Sequence, residues 1–151
     1  MRGRVGGDGS CLRGCVHHAA AVSDDTEMPV HDLIGGDAIA AIVAGFYRRV
    51  PSDPILGPMY PPNDLAGAEQ RLREFLVYRL GGPPTYLHHR GHPRLRMRHA
   101  PFAVDRRARD RWLLLMTESI AEQGVPTEVA SYLERFLGDI ATFLINRQDG
   151  G

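Results

Sequence analysis

The 151-residue sequence lacks most of the features expected of secreted, membrane-spanning or nucleic-acid-binding proteins. It has only two cysteines, Cys11 and Cys15, in a glycine-rich stretch, which is too few for a disulfide framework. No apolar run approaches the ~18 residues of a membrane-spanning helix, and no apolar segment follows Arg2 and Arg4 to form a secretory signal. The 18 basic and 18 acidic residues cancel, so overall charge does not suggest nucleic acid or a membrane as a partner. We expect a cytoplasmic protein in a reducing compartment.

The chain divides into a tail, a domain and a shorter tail. Residues 1–30 show no apolar periodicity and are rich in Gly, Ser, Asp and Ala, which predicts a disordered extension. The folded domain is expected over residues 31–147, followed by a flexible tail over residues 148–151. Met28 stands where the ordered pattern begins, which raises the hypothesis that translation starts there.

The extension contains one stretch, CLRGCVHH, that invites a metal-binding interpretation. The spacing of Cys11, Cys15 and His17 differs from the C-x-x-C-H pattern of covalent haem attachment. A zinc site formed by these three residues and His18 would crowd four ligands into eight residues. Free thiols in a flexible tail are therefore the preferred interpretation, with zinc as the alternative.

The rest of the chain has the periodicity of four amphipathic helices and no alternating strand pattern, which predicts an all-α class. Predicted starts are Asp37 as an N-cap, Pro62-Asn63-Asp64, Asp105, and Pro126-Thr127. The predicted inward stripes are Ile39, Val43, Phe46 and Val50; Leu65, Ala68, Leu72, Phe75, Leu76 and Leu80; Ala108, Trp112, Leu115, Met116 and Ile120; and Val129, Tyr132, Leu133, Phe136, Leu137, Ile140 and Leu144.

About twenty residues, GGPPTYLHHRGHPRLRMRHAPF, separate the second predicted helix from the third. Two antiparallel helices are normally joined by far fewer residues. A long loop without its own secondary structure inside a compact domain is usually functional or disordered. Because this loop is rich in Arg and His, we expect it to be ordered and to hold a ligand.

One of the four loop histidines differs from the others in its surroundings. His88, His89 and His92 have no apolar frame, and the cluster lacks the spacing of a strong zinc motif. His99 is bracketed by apolar residues, which are Leu95 and Met97 before it and Phe102 after it. A neutral imidazole in an apolar wall suits the axial position of a haem iron, and the neighbouring arginines suit haem propionates. Solvated loop histidines and a solvated arginine face formed by Arg94, Arg96 and Arg98 remain the alternatives.

The motifs DLAGAE and GHPRLRMRHAPF and the later RDRW occur together and in order, and this combination resembles the group II truncated haemoglobins. The resemblance covers about residues 33–146. It implies a truncated globin fold, in which a two-over-two helical sandwich surrounds a haem and a long ordered loop precedes the proximal histidine. It also implies non-covalently bound haem b.

The resemblance implies a role for each matched position. His99 corresponds to the proximal ligand of the iron. The distal ligand-binding positions are Tyr47, Tyr60, Trp112, Ala68 and Leu72. Residues implied to line the haem pocket are Phe75, Leu76, Met97 and Phe102, and those implied near the propionates are Arg96, Tyr86 and His92. Departures from the family pattern, such as Leu80 where a Trp is common, affect packing and leave the haem ligands untouched.

The expected function is binding of dioxygen, and of carbon monoxide or nitric oxide, with slow release. Tyr and Trp can donate hydrogen bonds to a ligand on the iron, whereas Ala68 is too small to reach it. An unidentified reductase and self-association are expected partners. A peroxidase-like or nitric-oxide-detoxifying enzyme is the alternative, because the same donors could assist either chemistry. An alternative of another class is a non-haem helical module that binds nucleic acid or a protein through the arginine loop.

Overall fold

The computed structural model describes residues 28–148. Six α-helices occupy this part of the chain: α1 (Val30–Arg49), α2 (Leu65–Arg79), α3 (Thr85–Arg90), α4 (Leu95–His99), α5 (Arg106–Gln123) and α6 (Thr127–Phe143). Three short 3₁₀ helices, Val50–Ser52, Gly57–Met59 and Pro62–Asp64, connect α1 to α2. The predictions for the N-terminal extension and for Cys11, Cys15, His17 and His18 lie outside the described residues, as does most of the predicted C-terminal tail.

The prediction of an all-α fold is confirmed. Helix α1 packs against α2 and α5, and α5 packs against α6, so the pair α1–α2 lies on the pair α5–α6 in a two-over-two sandwich. Most of the predicted inward residues are buried between the pairs, and Phe46, Val43 and Val50 are 0–1% exposed. The core is therefore built from the stripes that the helical periodicity indicates.

The predicted helix starts agree with the structure in part. Asp105 accepts a hydrogen bond from the backbone N–H of Ala108 at 2.8 Å and caps α5, and Gly124 ends that helix with a φ of 63°. The prediction that Asp37 caps the first helix is wrong, because α1 begins at Val30. The interruption lies at Gly35, whose φ of 87° and ψ of 159° kink the helix. Glycine permits that backbone conformation, whereas a residue with a Cβ would be strained there.

Helices α1 and α5 approach each other closely at one small residue. A Cβ at Gly45 would overlap the hydroxyl of Ser119, which is fully buried and donates to the carbonyl oxygen of Ile42 at 2.5 Å. By length and apolar composition alone, the segment Val30–Ser52 could also cross a membrane. Its face bearing Phe46 is buried in the core, however, which is typical of the central helix of a globular fold.

The long loop is not without secondary structure as predicted, because it contains α3 and α4. Arg98 holds these short helices together. Its guanidinium donates to the carbonyl oxygen of Pro93 at 2.7 Å and to that of Arg90 at 3.1 Å. Helices of five and six residues have too few positions to show a period, so the sequence pattern could not reveal them.

A buried ion pair joins the segment after α1 to α5. The side chain of Asp53 is 1% exposed and accepts from Arg111 Nε at 2.9 Å, with a second contact from Arg111 Nη2. Its other oxygen accepts from the backbone N–H groups of Leu56 at 2.8 Å and Ile55 at 3.0 Å. Burial alone would raise the pKa of Asp53, but these donors outweigh it and hold that pKa below its usual value. The carboxylate fixes the turn that leads to Tyr60.

Replacing Asp53 by asparagine should make the free energy of unfolding depend less on pH in the acid range. Because the folded-state pKa of Asp53 lies below the unfolded value, the ionised carboxylate stabilises the fold above about pH 4. That contribution disappears as the pH falls through the folded-state pKa. We expect Asp53→Asn to be less stable than wild type at pH 7, with the difference shrinking toward pH 3 in urea unfolding curves. Asp139→Asn, at an exposed carboxylate of α6, is the control, and an equal pH slope in both variants would contradict the assignment.

Candidate functional site

A cavity of about 440 Å³ lies between α2, α5, α6 and the α3–α4 segment. This volume is within the ~300–1,000 Å³ typical of small-molecule and cofactor sites. Much of the wall is apolar, with contributions from Leu72, Phe75, Leu76, Leu137 and Ile140. The cavity therefore suits a ligand with a large apolar body.

Ten of the thirteen site residues predicted from the sequence border this cavity. They are His99, Tyr47, Tyr60, Trp112, Ala68, Leu72, Phe75, Leu76, Phe102 and Tyr86. They come from α1 to α5 and from the segments between them, so residues as far apart as Tyr47 and Trp112 meet only in the folded chain.

The other three predicted residues do not border the cavity. Met97 is 58% exposed, because it lies two positions before His99 on a one-turn helix and points to the opposite side. Arg96 donates to the carbonyl oxygen of Phe143 at 2.6 Å, and its guanidinium lies 5.4 Å from that residue's ring centre. His92 is exposed in the turn between α3 and α4.

The sequence reasoning missed the cations that do border the cavity, which are Arg71, Arg90, Arg98 and Arg109. Two of them could have been found by helical spacing. Arg71 lies three residues after Ala68 on α2, and Arg109 lies three residues before Trp112 on α5, so each shares a face with a predicted site residue. Asp64 pairs with Arg71 at 2.9 Å and also borders the cavity.

The ring of His99 is fixed in one orientation and one tautomer. Its Nδ1 lies 2.8 Å from the carbonyl oxygen of Leu95, one turn earlier in α4. Because a carbonyl oxygen can only accept a hydrogen bond, Nδ1 carries the proton. In the neutral ring the other nitrogen, Nε2, then has a free electron pair, and His99 borders the cavity. This is the state in which histidine binds a metal.

Three aromatic residues with polar groups cluster on another part of the wall. The ring centres of Tyr47 and Tyr60 lie 5.7 Å apart and perpendicular, and Phe46 contacts both tyrosines and Trp112. Burial raises the pKa of Tyr60 to about 12, although donation from Trp112 and Tyr47 opposes the rise. Burial also raises the pKa of Tyr47, as does its donation to Tyr60. Both phenols therefore remain protonated at neutral pH.

The hydrogen-bond directions at Tyr60 leave one donor free. Trp112 can only donate, so the Tyr60 oxygen accepts from its N–H, while the bond between Tyr47 and Tyr60 uses one of the two phenolic protons. One phenolic O–H of this pair is therefore left to donate to a ligand in the cavity.

These features fit a haem. The apolar wall suits the porphyrin, His99 Nε2 suits the iron, the bordering arginines suit two carboxylates, and the phenol and indole donors suit a small ligand on the metal. Within the described part of the chain, no group of three or more His, Cys, Asp or Glu side chains could hold a bare metal ion.

Comparison with known proteins assigns the family. Residues 29–145 match the model of the bacterial-like globins. The chain is 34% identical over 119 residues to a group 2 truncated hemoglobin of Bacillus subtilis, covering 79% of this chain and 89% of that protein.

Solved structures agree. A hemoglobin of Chloroflexus aurantiacus superposes with a TM-score of 0.74 at 41% identity, over 79% of this chain and 98% of that one. A truncated oxygen-avid haemoglobin of Bacillus subtilis superposes with a TM-score of 0.73 at 35% identity, over 77% and 98%. The match of the family model, the identity to relatives and the two-over-two fold together show that this chain belongs to the bacterial-like globins and, among them, to the group 2 truncated haemoglobins.

Proposed function

We propose that the protein holds haem b through His99 Nε2 and binds dioxygen reversibly with slow release. The observation that carries this proposal is that one cavity is bordered by the His99 imidazole, oriented by its Nδ1 bond, and by the phenol and indole donors of Tyr47, Tyr60 and Trp112. Haem would supply an iron with an open position for a diatomic gas. The protein supplies the axial nitrogen, the apolar enclosure and the donors.

We assign the slow release of the gas to a short chain of hydrogen bonds. Tyr60 would donate to a gas held in the cavity, while Tyr47 and Trp112 would donate to Tyr60 and polarise its O–H. Ala68 borders the same cavity, but its methyl group cannot donate. Each shielded, charge-assisted bond to the ligand would contribute about 1.5–3 kcal/mol. Since ~1.4 kcal/mol is a factor of ten, such bonds slow release strongly.

For the propionates we propose Arg71, Arg98 and Arg109 in place of Arg96 and His92. All three border the cavity, and a guanidinium can donate two parallel hydrogen bonds to one carboxylate. Tyr86 also borders the cavity, but it is 3% exposed and packs its ring against Phe75 at 5.5 Å. We therefore assign it to the wall of the pocket.

Slow release favours a scavenging, sensing or redox role over rapid transport. One similar structure is described as oxygen-avid, in agreement with the donors assembled here. Reduction of the iron requires an electron donor, for which we propose a cytoplasmic reductase. Turnover of peroxide or nitric oxide by the reduced protein is the second candidate function, since the Tyr60 proton could also serve those reactions. Negligible turnover with a reductase present would leave gas binding as the role.

The proposed function is tested by absorption spectroscopy of the purified protein. We expect a Soret band in the protein as isolated, a shift on reduction, and a further shift with carbon monoxide. Extraction with acidified organic solvent should release the haem, because its attachment is non-covalent. A colourless protein that takes up no added hemin would contradict the proposal and favour a non-haem helical module.

A further inference from the structure

We propose that Asn146, which follows α6, is a positioning residue that sets the place of His99. The inference rests on the proposed function, in which His99 binds the haem iron. It concerns a residue that does not itself border the cavity. Its side chain instead contacts the backbone of the segment that carries His99.

Helix α4 cannot hold His99 in place by itself. It has five residues, none of them buried, and an isolated helix of that length is unstable in water. Arg94, just before it, has a φ of 44°, a left-handed conformation that is costly for a residue with a side chain. The position of α4 must therefore be determined by contacts from outside the helix.

Besides the bond from Arg96 to the carbonyl oxygen of Phe143, Asn146 provides such contacts with both ends of its amide. Nδ2 donates to the carbonyl oxygen of Phe102 at 3.0 Å and to that of His99 at 3.3 Å. Oδ1 accepts from the backbone N–H of Val104 at 2.9 Å. The backbone N–H groups of Asn146 and Arg147 both donate to the carbonyl oxygen of Val104, at 2.8 and 3.1 Å. The segment after α6 thus pairs with the whole stretch that follows His99.

Any displacement of this backbone would also move the imidazole of His99. The ring of His99 is bonded to the carbonyl oxygen of Leu95 within the same short helix, so ring and helix move as one body. The bond from Asn146 reaches the His99 carbonyl itself. A shift of α4 would therefore change the distance and tilt of Nε2 relative to the iron.

Only a residue that donates and accepts at the same time can make this set of bonds. Aspartate has the same shape and could still accept from Val104, but it cannot donate to the carbonyl oxygens of Phe102 and His99. It would instead place a negative charge against them. Asn146→Asp therefore removes the two donated bonds while preserving side-chain volume, and Asn146→Ala removes all three side-chain bonds.

The experiment uses the full chain loaded with haem and compares Asn146→Asp, Asn146→Ala and Gln148→Ala. Gln148 is an exposed neighbour and serves as the matched control. Resonance Raman spectra of the reduced, gas-free protein report the iron–histidine stretching frequency, and transfer of hemin to a scavenging apoglobin reports its rate of loss. We expect both Asn146 variants to shift or broaden that frequency and to lose hemin roughly tenfold faster or more, with Gln148→Ala like wild type.

The outcomes separate this inference from the proposed function. An unchanged iron–histidine frequency and hemin loss rate in both Asn146 variants would overturn the positioning role while leaving haem binding intact. A wild-type protein that takes up no haem would overturn both. If Asn146→Ala lost its helical circular dichroism, the decision would rest on Asn146→Asp, whose side chain has the same size.

Discussion

Replacing His99 by glycine should abolish stable haem binding, and added imidazole should restore it. The variant removes the imidazole that borders the cavity and is held in one orientation by a 2.8 Å bond from Nδ1 to the Leu95 carbonyl oxygen. The apolar wall remains, so the loss is of the metal bond and its orientation, not of the space. We expect the purified variant to show a greatly diminished Soret band that returns on titration with imidazole.

The matched control for this experiment is His88→Ala. His88 lies in α3 and is exposed, and the cavity lining does not include it. It should keep the wild-type spectrum. Equal loss of the Soret band in the two variants would argue against a specific role for His99, as would a His99→Gly protein that binds haem as tightly as wild type without imidazole.

Tyr60→Phe should release oxygen roughly 10- to 150-fold faster than wild type. The factor corresponds to the loss of one charge-assisted hydrogen bond of about 1.5–3 kcal/mol. The phenylalanine ring fills nearly the same space, so its packing against Phe46 at 6.5 Å should persist. The rate is measured by mixing the oxygenated protein with excess carbon monoxide in a stopped-flow instrument.

The proposed chain of hydrogen bonds also predicts how the effects of two substitutions on the release rate combine. In the proposed arrangement Tyr47 acts on the ligand through Tyr60, so Tyr47→Phe should speed release in the wild type and much less in the Tyr60→Phe background. Such a double-mutant cycle measures the coupling directly. Tyr132→Phe is the control, since Tyr132 stacks on Phe136 of α6 and does not border the cavity. Fully additive effects of Tyr47→Phe and Tyr60→Phe would mean that each tyrosine contacts the ligand independently.

The sequence predicted the parts of this fold in which apolar residues recur at helical spacing. The four long helices repeat their apolar positions over several turns, and a capping side chain such as Asp105 marks a start that the structure confirms. At α1 the same reasoning failed, because Asp37 resembles a cap although the helix begins seven residues earlier and bends at Gly35. A kink inside a helix leaves no periodic signal.

Site residues could be predicted from the sequence where a motif identifies the position. They could not be predicted where the role depends on the direction in which a side chain points. Of the thirteen residues predicted from the family pattern, ten border the cavity. Arg96 and Met97 lie in the same motif as His99, but on a one-turn helix adjacent side chains point in very different directions. Asn146 carries no signal at all, because its role depends on tertiary hydrogen bonds to residues more than forty positions earlier.

The protonation state of the two distal tyrosines has a physiological consequence. Globins with a histidine beside the gas carry a group that titrates near neutrality, whereas here the pKa of Tyr60 is about 12 and that of Tyr47 is raised as well. Neither phenol changes charge between mild acid and mild alkali. In the proposed oxygen-binding role, this side of the pocket would hold its ligand equally firmly when the cell interior acidifies, and no Bohr effect would arise there.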